Sequence, residues 1–192
     1  LQSGTLITGG ADAYGLYSVT TGLGRAVVTV QGGSVTTAGS AAHGVFSSIN
    51  NLAATSTSTS QITVNAGRVL TRGADAHALY ATTNALGAAS IVVGNTASVE
   101  TDGDRSYGAH ARISQAASTA AADVTMNGGI VDTFGLTAHG LYAYTNGLGS
   151  SSTTLNAGTI STNGVGAAAM MSSITNAASS ASASTTMSGG TV

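Results

Sequence analysis

One motif is repeated six times along this chain, and that periodicity restricts the fold more than any other feature of the sequence. The six copies open at Gly4, Gly33, Gly67, Ala97, Gly129 and Gly158, and a seventh begins at Gly190. Successive openings lie 29, 34, 30, 32, 29 and 32 residues apart, which is the length of a solenoid turn and much shorter than a domain. We therefore predict a single solenoid segment over 1–192, with repeats at 4–32, 33–66, 67–96, 97–128, 129–157 and 158–189.

Each repeat has the pattern of three short strands. Two residues after the opening stands an aliphatic residue, and two residues later stands a threonine, as at Val131 and Thr133. A spacing of two places both side chains on one side of a strand. A glycine then ends this strand in every copy, where the turn needs either a positive φ or close approach of two backbones. A second strand and, after a loop, a third strand complete the turn, for example at 138–143 and 153–155.

These features predict an all-β fold, a right-handed parallel β-helix of about six coils with three strands each. Each coil advances by about 4.8 Å, so six coils would form a rod about 29 Å long. One coil cannot bury its apolar row alone, and stability must therefore come from the stacking of neighbouring coils. The repeated threonine lies on the same side of its strand as the aliphatic residue, so we expect it to face the core.

Polar residues stand at the corner after the third strand of every repeat. Stacked amide side chains can form a ladder in which each one is hydrogen-bonded to the next. The predicted amide ladder consists of Gln31, Asn65, Asn95, Asn127 and Asn156. We assign these residues a structural role.

The composition argues against several partners and cofactors. Lys and Arg total 5, charged residues are 6% of the chain, and the formal net charge is -2. Because the chain has no basic cluster, we predict no nucleic-acid partner. No run approaches the roughly 18 consecutive apolar residues of a membrane span, so we expect no membrane insertion of this segment. Calcium-binding nonapeptides, dinucleotide fingerprints and phosphate loops do not occur, and we predict no metal and no cofactor.

The repeat resembles a motif of bacterial surface proteins. Its pattern at 129–143, Gly-x-Val-x-Thr-x-Gly-x-x-Ala-x-Gly-Leu-Tyr-Ala, is similar to the coil motif of passenger domains in pertactin-like autotransporters, and the similarity covers the whole chain. The resemblance implies a β-helix that is secreted or displayed on the bacterial cell surface. It also implies an outer-membrane barrel elsewhere in the complete protein, since this sequence contains none. A rigid stalk with an adhesin role is the function that follows, with a host cell, matrix component or glycan as partner.

Two columns of aromatic residues emerge when the repeats are aligned. The first column is the candidate partner-binding stripe and contains Tyr14, His43, His77, Tyr107 and His139. The second column, three positions later, contains Tyr17, Phe46, Tyr80, His110 and Tyr142. Positions three apart cannot share one side of a straight strand unless the intervening glycine bends it. Two interpretations stay open: rings that pack between coils, and an exposed stripe that binds protein or glycan.

Two further functions would use the repeated columns differently. His43 and His77 would lie about one strand spacing apart, but nothing supplies the third and fourth ligands of a zinc site. A self-associating or ice-binding solenoid would need an outward Thr-x-Thr lattice. The repeated threonine is expected inside the rod, which disfavours that alternative.

The remaining alternative is a β-helix enzyme that cleaves polysaccharides. Asp102 and Asp104 could be imagined as its pair of carboxylates. The alignment, however, puts Arg72 beside Asp102 and Asp75 beside Arg105, which predicts two exposed ion pairs at one corner. Solvated and paired carboxylates are poor acid–base catalysts, so we predict no enzymatic activity.

Overall fold

The computed structural model describes residues 1–52 and 58–192. Within those ranges the chain forms sixteen β-strands and no helix, and so no helix long and apolar enough to cross a membrane. The strands are β1 (Thr5–Thr8), β2 (Leu16–Thr20), β3 (Ala26–Val30), β4 (Ser34–Thr37), β5 (Val45–Ile49), β6 (Thr59–Thr71), β7 (Leu79–Thr83), β8 (Ala88–Thr101), β9 (Ala109–Ile113), β10 (Ala122–Met126), β11 (Ile130–Thr133), β12 (Leu141–Thr145), β13 (Ser151–Leu155), β14 (Thr159–Thr162), β15 (Met170–Ile174) and β16 (Ala183–Met187).

The strands stack as a parallel β-solenoid of about six turns, which confirms the predicted fold class. Every strand pairing is parallel and joins equivalent strands of neighbouring coils. The register is the one that the repeat alignment predicts, since Leu6 pairs with Val35 and Val35 pairs with Val69. Residues 53–57, which belong to the second repeat (33–66), lie outside the described part of the chain.

Three faces surround the core. The first face consists of β1, β4, the second halves of β6 and β8, β11 and β14. The second face consists of β2, β5, β7, β9, β12 and β15. The third face consists of β3, the first halves of β6 and β8, β10, β13 and β16. We call the turn from the first face to the second face the first corner.

Aliphatic side chains from all three faces fill the interior of the rod. Val69 on the first face, Leu79 on the second and Ile91 on the third are fully buried in one continuous cluster. The repeated threonine is also inside, as predicted. It is fully buried in the four middle repeats, at Thr37, Thr71, Thr101 and Thr133. Each of these hydroxyls, and that of Thr8, donates to the carbonyl oxygen five residues later, across the first corner, at 2.5 to 2.8 Å.

The repeated glycine of the first corner is required because the backbones of successive coils nearly touch there. A Cβ on Gly73 would lie 1.9 Å from the carbonyl oxygen of Gly39, and one on Gly103 would lie 1.9 Å from that of Gly73. None of these three has a positive φ in the described chain, so close approach, and not backbone conformation, selects glycine. The left-handed residue comes two positions later, at Asp75 (φ 58°) and Arg105 (φ 53°).

Candidate functional site

A second glycine brings both aromatic columns to the outside of the second face. A Cβ on Gly44 would lie 2.4 Å from Cγ1 of Val69, so this side of Gly44 faces the packed core. The next residue, Val45, is also inward and fully buried. Two consecutive inward positions bend the chain, and the flanking His43 and Phe46 therefore both point outward. The bend that the sequence analysis required is present.

The two columns pack against each other as one surface. Within the first column the His43 and His77 ring centroids are 5.0 Å apart at 16°, and those of His77 and Tyr107 are 4.5 Å apart at 8°. Between the columns His77 meets Tyr80 edge-on, at 4.9 Å and 87°. We call this double column the aromatic face. It consists of Tyr14, Tyr17, His43, Phe46, His77, Tyr80, Tyr107, His110, His139 and Tyr142.

The rings of the aromatic face differ in how much of them water can reach. His43, His77 and His110 are buried, whereas Tyr17 is 58% exposed. The other six rings are half-buried. Stacking between coils therefore covers the ring faces, while the outer edges of the tyrosines stay accessible to a partner. Offset-stacked and edge-on ring pairs add stabilisation beyond the apolar area that they bury.

The histidines of the first column are hydrogen-bond acceptors inside the rod wall. Nδ1 of His43 accepts from the backbone N–H of His77 at 3.0 Å, and Nδ1 of His77 accepts from that of Tyr107 at 3.1 Å. His139 does the same for Ala168 at 3.0 Å. An accepting Nδ1 carries no proton, so these imidazoles are neutral with the proton on Nε2. Burial lowers the pKa of His43 to about 4 and lowers that of His77 well below its usual value.

This bonding leaves the His43 and His77 pair poorly suited to a metal. One ring nitrogen of each is occupied by a backbone N–H, and metal binding would need the remaining nitrogens of two parallel rings to converge. Across the described residues, no group of three or more His, Cys, Asp or Glu side chains is placed to hold an ion. Sequence reasoning could not see the occupied nitrogens, because they depend on the coil that stacks above.

Two acidic residues of the first corner, Asp75 and Asp102, form the two predicted ion pairs. Asp102 Oδ2 lies 3.5 Å from Nε of Arg72, and the carboxylate of Asp75 accepts two hydrogen bonds from Arg105 at 2.8 and 2.7 Å. The hydrogen bonds from Arg105 lower the pKa of the Asp75 carboxyl. Asp104 accepts a backbone N–H of the next coil at 2.9 Å. The carboxylates considered for catalysis are thus engaged in ion-pair and turn contacts.

The predicted amide ladder is present as two separate pairs. Asn65 Nδ2 donates to Oε1 of Gln31 at 2.8 Å, and Asn156 Nδ2 donates to Oδ1 of Asn127 at 2.9 Å. The side chain of Asn95 has no amide partner within the described chain. At this corner β8 has one residue more than β6, since Val93 to Thr96 lie opposite Val64 to Ala66, and the register of the two strands shifts there.

A second polar ladder, which the sequence analysis missed, runs along the corner after the second face. Asn84 Nδ2 donates to Oδ1 of Asn50 at 3.0 Å, and the Thr175 hydroxyl contacts Oδ1 of Asn146 at 3.4 Å. The signal was available, because each of these residues directly follows the last residue of a second-face strand. Amide and hydroxyl side chains therefore line both corners of the third face.

The aromatic face also has a pocket that sequence reasoning did not find. The pocket has a volume of about 180 Å³ and is lined by Tyr107, His110, Arg112, Tyr142 and Tyr144. Arg112 and Tyr144 each stand two residues after a ring of the second column, so the period of two places them on the same outward side. That spacing was the available signal.

A second threonine column lies outside the rod, on the third face. It contains Thr29, Thr63, Thr125, Thr154 and Thr186, with Val92 in the third-face position of β8. All five threonines are at least partly exposed, and in β6, β10 and β13 they alternate with buried side chains. The outward hydroxyl lattice that a self-associating solenoid would need is therefore carried by a different threonine from the one considered in the sequence.

The comparisons with known proteins do not extend these observations. No protein-family model, no curated protein and no solved structure matches the chain. What stands on the structure itself is the parallel β-solenoid, with the aromatic face as its most distinctive outer surface.

Proposed function

We propose that this chain is a segment of an autotransporter passenger, a rigid non-catalytic stalk on the bacterial surface whose aromatic face makes adhesive contacts. The observation that carries the proposal is the aromatic face, a column of rings two wide that follows the rod through five coils with its tyrosine edges open to water. Tyrosine rings combine a large apolar area with a polar tip, which suits binding to proteins and glycans. The coil motif at 129–143 supports the surface location.

The scaffold has the rigidity that a stalk needs. Each coil is hydrogen-bonded to the next through parallel strands on all three faces. The Thr–carbonyl bonds stiffen the first corner of the first five repeats, from Thr8 to Thr133. Asp75, Asp102 and Asp104 at that corner are engaged by arginines or by backbone, which supports a non-catalytic role.

Binding of the purified chain to cultured epithelial cells and to immobilised collagen, laminin and fibronectin tests the adhesive part. A double variant Tyr17→Ser with Phe46→Ser should weaken retention by about tenfold, since both rings are partly open and their loss removes apolar contact area. The matched control is Thr63→Ser with Thr125→Ser on the third face, which should bind like the unmodified chain. Equal binding by all three proteins would show that the aromatic face is not the adhesive surface, and no binding by any of them would leave a stalk without adhesive function.

The surface location has its own test. The gene that encodes this segment should also encode a secretion signal before it and a membrane barrel after it, and protease added to intact cells should digest the segment. A segment that is protected in intact cells would contradict the proposal.

Self-association is the second candidate function, favoured by the outward threonine column of the third face. Hydroxyls repeat there at one strand spacing, about 4.8 Å, on either side of Val92, and the third-face strands β13 and β16 carry no charge. Sedimentation of the purified chain over a wide concentration range tests it. Association that is lost in a Thr125→Lys, Thr154→Lys variant would support this function, and a monomer at all concentrations would contradict it.

A further inference from the structure

The pocket of the aromatic face is unusual for its charge. Arg112 is the single charged residue in the six strands of the second face. Three other arginines of the chain, Arg68, Arg72 and Arg105, have carboxylate partners. In the part of the chain that the structure describes, no carboxylate lies within ion-pair distance of Arg112. Its guanidinium is therefore an electrostatically unpaired cation.

Neutral rings hold this cation in place at the pocket. The Arg112 guanidinium carbon lies 5.8 Å from the ring centroid of Tyr144, and Nη1 contacts the hydroxyl of Tyr80 at 3.3 Å. A guanidinium stacked on a tyrosine loses less conformational freedom when it binds a carboxylate, and its fork of donors matches the two carboxylate oxygens. The position is preorganised for an anion that carries two adjacent oxygens.

His110 supplies a second and independent sign that something binds here. It lines the same pocket, is only 6% exposed, and has no hydrogen-bond partner for either ring nitrogen among the residues that the structure describes. The ring is clamped between Tyr80 and Tyr142, at 5.0 and 4.9 Å with nearly parallel planes. Buried polar atoms without partners are rare in folded proteins and are costly to leave unpaired. A ligand rich in hydroxyl groups at this pocket would offer the missing partner.

The shape of the site indicates a ring-shaped ligand that is one unit of a polymer. Tyr107, Tyr142 and Tyr144 form walls of the pocket. Its volume of about 180 Å³ has room for one small ring. The aromatic face continues along the rod axis toward Tyr80 and Phe46, so a polymer has further rings on which to lie. Flat aromatic rings are suited to the apolar face of a sugar, and the guanidinium is suited to a sugar carboxylate.

We infer that Arg112 and the tyrosines around it form a binding site for an acidic polysaccharide, with a uronic-acid carboxylate on the guanidinium and the sugar ring against Tyr142 and Tyr144. The inference rests on the proposed adhesive function and names the chemistry of its ligand. An ion pair at an exposed arginine also predicts binding that weakens as salt is raised.

Calorimetric titration of the purified chain with tetragalacturonate, and with neutral cellotetraose as the comparison, tests this site. The acidic oligosaccharide should bind at least about tenfold more tightly, and Arg112→Gln should remove that preference. The matched control is Arg25→Gln, which makes the same charge change at the arginine that bonds to Gln61, away from the aromatic face. Tyr144→Leu should weaken both sugars, because it removes a wall of the pocket while Arg112 keeps its charge. Circular dichroism spectra should show that all variants remain folded.

Several outcomes would overturn the inference. They are equal affinity for the two sugars, unchanged affinity in Arg112→Gln, an equal loss in Arg25→Gln, or full competition by acetate, which would show an anion site with no sugar recognition. The adhesive function can be separated from this result, because its own test changes Tyr17 and Phe46. Adhesion without tetragalacturonate binding would contradict only the ligand, whereas tetragalacturonate binding without adhesion would contradict only the adhesive role.

Discussion

The inner and outer sides of the first corner tolerate very different sequences. Inside, a threonine and a glycine recur in every repeat, as at Thr71 and Gly73. The threonine bonds across the corner in the first five repeats, and the glycine nearly touches the backbone of a neighbouring coil. Outside, the first aromatic column changes from tyrosine to histidine and back, and position 168 of the sixth repeat is an alanine. Space and hydrogen bonding leave one solution inside, whereas ring stacking accepts any flat side chain outside. The outer surface is therefore the part of the coil that is free to acquire a function.

The largest effect should come from adding one methyl group to the inner side. In Gly73→Ala the new Cβ would lie 1.9 Å from the carbonyl oxygen of Gly39, and two backbones would have to separate. We expect a loss of about 4 kcal/mol or more in the free energy of unfolding, measured by urea denaturation. Gly9→Ala, in the same corner of the first repeat, is the control, since nothing in the described part of the chain lies within 4 Å of its Cβ. Similar stability of the two variants would show that the corner glycine is not required for space.

Acid should be the next largest perturbation, because it acts on the buried imidazoles. Burial lowers the pKa of His43 to about 4, although the negative charge of Asp75 acts to raise it. In the unfolded chain the pKa of His43 has its usual value of 6.5. Between these values the unfolded state binds more protons, so stability is full above about pH 6.5 and falls as the pH drops toward 4. His43 alone should account for a loss on the order of 3 kcal/mol by pH 4.

Urea denaturation at pH 7.5, 6 and 5 measures this slope. His43→Tyr gives the second repeat the residue type that the first repeat has at this position. It should make the slope shallower, because one buried titratable group is removed. Part of the slope should remain in this variant, because burial also lowers the pKa values of His77 and His139. A slope that is the same with and without His43 would contradict the neutral, hydrogen-bonded imidazole described above.

Threonine on the two sides of the sheet gives a smaller and more direct comparison. Thr101→Val keeps the shape of the side chain but leaves the carbonyl of Ser106 without its 2.7 Å hydrogen bond, in a fully buried position. We expect a loss of about 1 to 2 kcal/mol in the free energy of unfolding. Thr125→Val on the outer third face should change it by less than about 0.5 kcal/mol. Equal losses would mean that the inner hydroxyl has no special role.

The smallest effect should come from the exposed amides. Asn156→Ala removes the 2.9 Å bond to Asn127 and should cost about 0.5 to 1 kcal/mol in unfolding free energy, because water competes for both groups. Asn95→Ala removes an amide with no amide partner in the described chain and should be neutral. If Asn95→Ala is the more costly of the two, the ladder is not what these residues contribute.

Much of the scaffold could be predicted, because its determinants repeat within short stretches of chain. The period of two at Val131 and Thr133 predicted strands and an inward threonine, and alignment of the repeats predicted the register of Leu6 on Val35. The same alignment predicted the ion pair between Asp75 and Arg105. Stacked repeats convert a similarity in sequence into a contact in space, which is why these predictions were accurate.

The candidate site was predicted less completely. Both aromatic columns were identified, but the side on which they lie depends on Gly44 and Val45 both pointing inward, and that bend depends on the core packed behind them. The protonation of His43 depends on a backbone N–H from the coil above. Arg112 was not identified from the sequence, because Tyr80 and Tyr144 reach it from the coils on either side.

The sequence by itself determined that this protein is a parallel β-solenoid with a defined coil register, because spacing along the chain is the same information as stacking along the rod. Only the tertiary structure decided which imidazoles are neutral and that Arg112 has no carboxylate partner in the described chain. Those properties depend on distances of a few ångströms between residues about 30 positions apart, such as His43 and His77. The aromatic face and the pocket around Arg112 arise from that stacking, since each is built from residues of more than one coil.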